Sequence, residues 1–183
     1  QIVLSVQQLI LGPALTTKTD LSVYVQIEAL QMSEVPLETP NVIMKAGTAS
    51  FEYSRTIDLA PGNRAWNAVA LALSTKEEVP LRRRAIRRNS AQSLRSSLRN
   101  SAHCSESARL LVSQEDSDVY FTVRDAATKA SICEAFVNLE SLLASGKDEV
   151  SSQRPLKDAA DSVVGRLTVT VAALDALRKV KAA

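Results

Sequence analysis

An all-β antiparallel sandwich is the fold class this sequence predicts, on three observations. Apolar and polar residues alternate at period two in segments along both halves of the chain. Turn signals such as Gly12-Pro13 and Ala60-Pro-Gly-Asn63 separate those segments. The strand–helix rhythm of a parallel sheet is missing. With 183 residues, 45% hydrophobic and 23% charged, the chain can bury one core. Residues 1–183 are read as one domain, with 76–116 inserted into it.

The first strand runs from Ile2 to Leu11, with Ile2, Leu4 and Val6 on one face. A slip before Leu9 predicts a bulge. Leu21 to Leu30 is the second strand: Val23, Val25, Ile27 and Ala29 face inward, and Tyr24, Gln26 and Glu28 face water. The prolines Pro36 and Pro40 punctuate the connection that follows. Ser50 to Leu59 is the third strand, carrying Phe51 and Tyr53. From Trp66 the spacing becomes helical, with Val69, Ala70 and Leu73 at i+3, i+4 and i+7.

Alternation returns at Asp118, where Val119, Phe121 and Val123 interleave with Tyr120, Thr122 and Arg124 up to Asp125. Ala130 to Leu139 is the next strand. Asn138 is placed to cap a helical turn of Leu139, Leu142 and Leu143, closed by Gly146. Val150 to Leu156 reads as a polar edge strand, where Pro155 is tolerated. Gly165 to Ala173 alternates most regularly. The tail from Leu174 to Lys181 reads as a short basic helix.

Several function classes are excluded or disfavoured on composition. No apolar run approaches the roughly 20 residues that span a bilayer. The N-terminus lacks the features of a signal peptide, and Gln1 opens inside an apolar pattern, as a fragment of a longer protein would. Two cysteines, Cys104 and Cys133, build no disulfide framework and fit a reducing, cytoplasmic compartment. Zinc requires four ligands with paired spacing; His103, Cys104 and Cys133 do not supply them. Cys133 reads as a small apolar filler. Phosphate-loop, dinucleotide and nucleophile-elbow motifs are absent, and the single histidine lies in the polar stretch, so the chain is read as no enzyme, without cofactor or small-molecule substrate. Trp66 and Phe51 read as core anchors.

The net charge is only +2, but it is unevenly distributed. Arg82, Arg83, Arg84, Arg87, Arg88, Arg95 and Arg99 lie in a stretch free of Asp and Glu from Glu78 to Glu106. Three readings stay open. The stretch can be a solvated loop, since its Ser/Arg/Asn composition buries little apolar area. It can dock onto an acidic protein surface, such as a ciliary scaffold protein or tubulin, because guanidinium forks pair with carboxylates. It can adhere to anionic lipid. Nucleic acid fits poorly, since no aromatics are interleaved for stacking. Leu94 and Leu98 stand one turn apart, where a helix would form on binding. Arg87-Arg88-Asn89-Ser90 has the pattern of a basophilic kinase site, with Ser90 the acceptor. The partner-binding candidates are these arginines with Arg178, Lys179 and Lys181 of the tail.

The closing third carries a resemblance. Asp118 to Val150, followed by Val163 to Leu177, resembles the second half of a C2 domain. In particular, Leu142-Leu143-Ala144-Ser145-Gly146-Lys147-Asp148 and Gly165-Arg166-Leu167-Thr168-Val169 are similar to the C-terminal C2 domain of the retinitis pigmentosa GTPase regulator-interacting protein family. The similarity is good over 117–183 and looser over 1–75; the 76–116 insertion departs from it. The resemblance implies an eight-stranded C2-type β-sandwich of permuted, type II topology. It also implies a scaffold role at the ciliary base, transition zone, basal body or axoneme, with protein partners. Many C2 domains hold calcium with clustered carboxylates. Here the corresponding loops offer Asp20 beside Lys18 and Asp125 beside Arg124, with Lys129 nearby. Those two acids are read as turn residues, and no metal is expected.

Overall fold

The computed structural model describes residues 1–15, 21–30, 32–74 and 117–183. Nine strands and three α-helices are present among them, with a 3-10 turn at Pro13–Leu15: β1 Ile2–Leu11, β2 Ser22–Ala29, β3 Leu37–Glu38, β4 Val42–Ile43, β5 Thr48–Ile57, α1 Arg64–Ser74, β6 Asp118–Asp125, β7 Ser131–Asn138, α2 Leu139–Ser145, β8 Glu149–Lys157, β9 Val163–Ala172 and α3 Leu174–Ala182. The hydrogen-bonded order is β3-β2-β6-β7-β8-β9-β1-β5, eight strands along one path, with β4 pairing β2. All pairings are antiparallel.

Two four-strand halves are joined at a thin seam. Between β7 and β8 the only paired residues are Glu134 and Lys157. Both halves contribute to one core: Val25, Phe121 and Val137 from the first, Leu4, Leu167 and Val169 from the second. Phe121, Leu4, Val6, Leu9 and Leu167 have no exposed surface, so alternation translated directly into burial. The expected bulge in β1 is present, as a register shift between Val6 and Gln8.

Three expectations require correction. Val150–Leu156 is not at an edge, because β8 lies between β7 and β9. Its single pair with β7 nevertheless leaves most of that side unladdered, and this is where Pro155 sits. The Pro36–Pro40 connection is not merely a loop; it carries β3, and β4 follows directly. The buried stripe of α1 is Ala65, Val69 and Ala72, rotated from the expected one; Trp66 is half-buried against the core while Phe51 is fully inside it. Asn63 sets the start of α1, its Oδ1 accepting from Trp66 N–H at 2.7 Å.

Candidate partner-binding surface

Arg82, Arg83, Arg84, Arg87, Arg88, Arg95 and Arg99 lie outside the described residues, as do Asp20, Ser90, Leu94, Leu98, His103 and Cys104. The residues on either side of that stretch are described. The chain leaves at the end of α1 and returns at Ser117. Asn138 holds the return: its Nδ2 donates to Ser117 Oγ at 2.9 Å and to Asp118 Oδ1 at 2.6 Å. The Ser117 carbonyl accepts from Leu139 N–H at 2.8 Å. The same Asn138 caps α2, its Oδ1 accepting from Ser141 N–H at 2.9 Å. One amide therefore fixes both the first turn of α2 and the re-entry of the chain, and Ser117 and Asp118 are buried.

α1 and α2 both pack against α3. The α3 face toward them and the core is Leu174, Ala176, Leu177 and Val180. Its solvent face is Arg178, Lys179 and Lys181, all exposed. The orientation of α3 is set by Asp148, whose Oδ1 accepts from Ala173 N–H at 2.7 Å and Leu174 N–H at 2.8 Å. A carboxylate on the first N–H groups of a helix satisfies donors that lack intrahelical partners and complements the dipole. The guanidinium of Arg178 lies beside Gly146, which ends α2 in the left-handed conformation at φ 66°. A cation there suits the negative end of α2. Arg178 also stands 4.0 Å from the exposed Asp175, a weak contact.

The segment from Leu142 to Asp148 thus has a mechanical explanation. Leu142 is buried, Gly146 closes α2, and Asp148 starts α3 from 25 residues away. Sequence reasoning found the Asn138 cap and the Gly146 stop. It missed the long-range roles of Asn138 and Asp148, because neither partner is a local backbone group.

Elsewhere the described residues carry little chemistry. Asp125 is a turn residue: its Oδ1 accepts from Ala127 N–H at 2.8 Å and Thr128 N–H at 3.2 Å. Arg124 Nη1 donates to the Lys129 carbonyl at 2.8 Å, and Lys129 Nζ lies 4.7 Å from the Tyr24 ring centroid. No three of His, Cys, Asp and Glu gather as metal ligands among the described residues. Cys133 is buried in β7, and burial, with Asp158 and Glu134 adding negative charge, pushes its thiol up to about 12. A thiol held protonated is unreactive, as a packing residue would be. A shallow groove of about 500 Å³ runs past Ile10, Gly12, Gln153, Val163 and Arg166, lined by no acid or histidine. No helix among the described residues is long and apolar enough to cross a membrane.

Comparison with solved structures shows the C2 fold. A C2 domain-containing protein superposes with a TM-score of 0.51 at 7% identity, covering 93% of this chain and 85% of its own. CC2D1B, from a structure on its coordination of ESCRT-III activity during mitotic reformation of the nuclear envelope, superposes at 0.54 with 15% identity. There 93% of this chain aligns, and it spans 53% of the other. No curated protein matches the sequence. A family profile, the retinitis pigmentosa G-protein regulator interacting C-terminal, matches residues 74–183. That span runs through 76–116, the part expected to depart from the family, and stops short of the looser resemblance over 1–75. On this match over more than half its length, the chain belongs to the retinitis pigmentosa G-protein regulator interacting C-terminal family.

Proposed function

We propose that this C2 domain is a calcium-independent docking module that binds an acidic protein surface through the α3 cations and the arginines of residues 82–99. The observation that carries the reading is the convergence at the helical end. α1, from which the arginine-rich stretch departs, and α2, at whose start it returns, both pack on α3, whose outward face is Arg178, Lys179 and Lys181. A stretch attached beside α3 would add its charge to the α3 cations, and clustered charge attracts a complementary surface more strongly than dispersed charge. The rest of the domain is a rigid platform. The turn role of Asp125 favours a module that works without calcium. Family membership favours a protein partner, and a cytoplasmic assembly at the ciliary base or on microtubules is the setting proposed.

Pull-down from ciliated-cell extract tests this with three proteins: the full chain, a deletion of Arg82–Arg99, and Arg178→Glu/Lys179→Glu/Lys181→Glu. Both altered chains are expected to lose captured partners, and the loss should be mimicked by raising salt. Capture unchanged in both would remove the basic surface from the function. Flotation with vesicles containing anionic lipid, at low salt, separates the competing membrane reading: co-flotation of the full chain but not the deletion would replace a protein partner by a bilayer.

A further inference from the structure

Two large apolar side chains left in water line one groove at the start of β9. Ile10 is 40% exposed and Val163 63%. With Pro13 and Val164 they border a space of about 500 Å³, and the one charged residue there is Arg166. Clefts that hold ligands span roughly 300–1,000 Å³. Strand register sets the cation beside the apolar residues. Arg166 stands opposite Ile10 on β1 and Pro155 on β8, and residues directly opposite share a face. Arg166 is exposed, and its Nη1 reaches Gln153 Oε1 only at 3.4 Å, too long for a firm hydrogen bond. Among the described residues no carboxylate pairs with it. The acids of β8 and of the loop into β9 are engaged elsewhere. Glu149 pairs with Arg154, and Asp161 lies 2.9 Å from Lys157 Nζ. Asp158 Oδ1 accepts from Ala160 N–H at 2.8 Å and Ser162 N–H at 3.0 Å.

We propose that this groove docks an extended segment of a partner protein in which an aliphatic residue adjoins an Asp or Glu. The aliphatic side chain covers Ile10, Val163 and Val164, which removes apolar surface from water. The carboxylate takes the planar fork of Arg166. Charge complementarity selects this occupant: a lining that is apolar but for one arginine without an acid partner fits an apolar group carrying one anion. The next row on the same face is Gln153–Thr168–Gln8–Ser50, uncharged throughout. Its exposed Gln153, Gln8 and Ser50 offer donors and acceptors to a peptide main chain laid across the strands. A fatty acid carries the same two groups, but its chain must be enclosed over most of its surface, and this groove is open. The groove is separate from the α3 cations. Leu174 opens α3 eight residues after Arg166, about 26 Å along the strand, so occupancy of one surface leaves the other accessible.

Selection of short phage-displayed peptides on the full chain, in about 0.3 M salt to screen exposed cations, tests it. The recovered peptides should share an aliphatic residue next to an acid. A synthetic peptide of that pattern should bind with a dissociation constant on the order of 10 μM. Arg166→Gln and Val163→Ser, both at exposed positions, should each weaken it about tenfold with the melting temperature unchanged. Arg166→Lys keeps the charge and loses the fork; it should weaken binding about threefold, and it serves if Arg166→Gln melts early. Recovered peptides without the paired residues overturn the proposal, as does affinity equal in the unaltered chain and the groove variants. Peptides that survive both groove variants and are lost in Arg178→Glu/Lys179→Glu/Lys181→Glu read the helical end instead, and the proposal fails. Oleate supplies the lipid arm. Oleate that binds more tightly than the peptide and displaces it would make the occupant an acyl chain and overturn docking of a protein segment.

Discussion

Along β2 the main chain itself covers the edge of the sheet. Leu37 and Glu38 pair with Ile27 and Gln26, and Val42 and Ile43 pair with Val23 and Ser22. Between those two short strands, Thr39 closes the gap: its N–H donates to Val25 O at 3.0 Å and its Oγ accepts from Val25 N–H at 2.9 Å. Along β5, ten residues long, no strand pairs opposite β1 among the described residues. That edge is guarded by other means. Phe51 and Glu52 bulge opposite Gln7, and Arg55 stands opposite the fully buried Leu4, putting a cation on the inward side. Bulges and inward charges both discourage a further strand from pairing. One edge is thus closed by hydrogen bonds and the other by making closure unfavourable. The first is a contribution to stability; the second works mainly against pairing with a further strand.

The largest expected effect lies behind the β5 edge, since β1 is the one strand laddered to β5 among the described residues and β1 is held on its other side by β9. At Gly165 an added Cβ would stand 2.4 Å from the Ile10 carbonyl oxygen, a main-chain atom that cannot rotate away. Glycine is required there by the close approach of the two strands. Gly165→Ala should cost about 3 kcal/mol, read from urea denaturation, because β1 must shift to admit the methyl. The β5 edge should then exchange its amide hydrogens before the β2 edge does. A loss below about 0.5 kcal/mol would mean that β1 moves freely, and the dependence of β5 on the β1–β9 pair would be wrong.

The next effect tests the covered edge. Thr39→Val keeps the shape of the side chain and removes the oxygen that accepts from Val25 N–H. A buried N–H left without an acceptor should cost about 2 kcal/mol, and Thr39→Ser should recover most of it. Equal losses for Val and Ser would assign the effect to packing and remove the hydroxyl from the account of this edge.

These two edges also show which parts of the fold were legible in the sequence. β1, β2, β6 and β9 were, because apolar residues recur at period two along each with one face in the core. Val23, Val25 and Ile27 on β2 and Leu167, Val169 and Val171 on β9 are the clearest cases. β3 and β4 were not, because a two-residue strand has no period to detect and its prolines read as loop. The stripe of α1 was displaced because its four alanines make neighbouring stripes nearly equal in hydrophobicity; tertiary packing chose Ala65, Val69 and Ala72. At the helical end, the Asn138 cap and the exposed Arg178, Lys179 and Lys181 of the tail could be read directly. The setting of α3, which carries Arg178, Lys179 and Lys181, could not, since it depends on Asp148 reaching N–H groups 25 or more residues away. The outer-face row Pro155–Arg166–Ile10 likewise emerges only from strand register.

The smallest effect on stability probes the guarded edge, and its main readout is association. Arg55 is exposed on the inner side of β5, where it lies close enough to Tyr53 to counter part of the rise that burial imposes on that phenol. Arg55→Val removes the inward cation and adds a β-branched residue beside Leu4, so monomer stability should change by no more than about 0.5 kcal/mol. Pairing of β5 with β5 of a second copy should become favourable, giving a concentration-dependent dimer in sedimentation equilibrium. The bulge at Phe51–Glu52 limits such pairing to the Tyr53–Ile57 half of the strand, so self-association should be weak and reversible. Arg55→Lys should stay monomeric, because a charge in the same place serves the same end. A Val variant that sediments like the unaltered chain at every concentration would show that the bulge alone guards this edge. Arg55 would then be an ordinary surface cation.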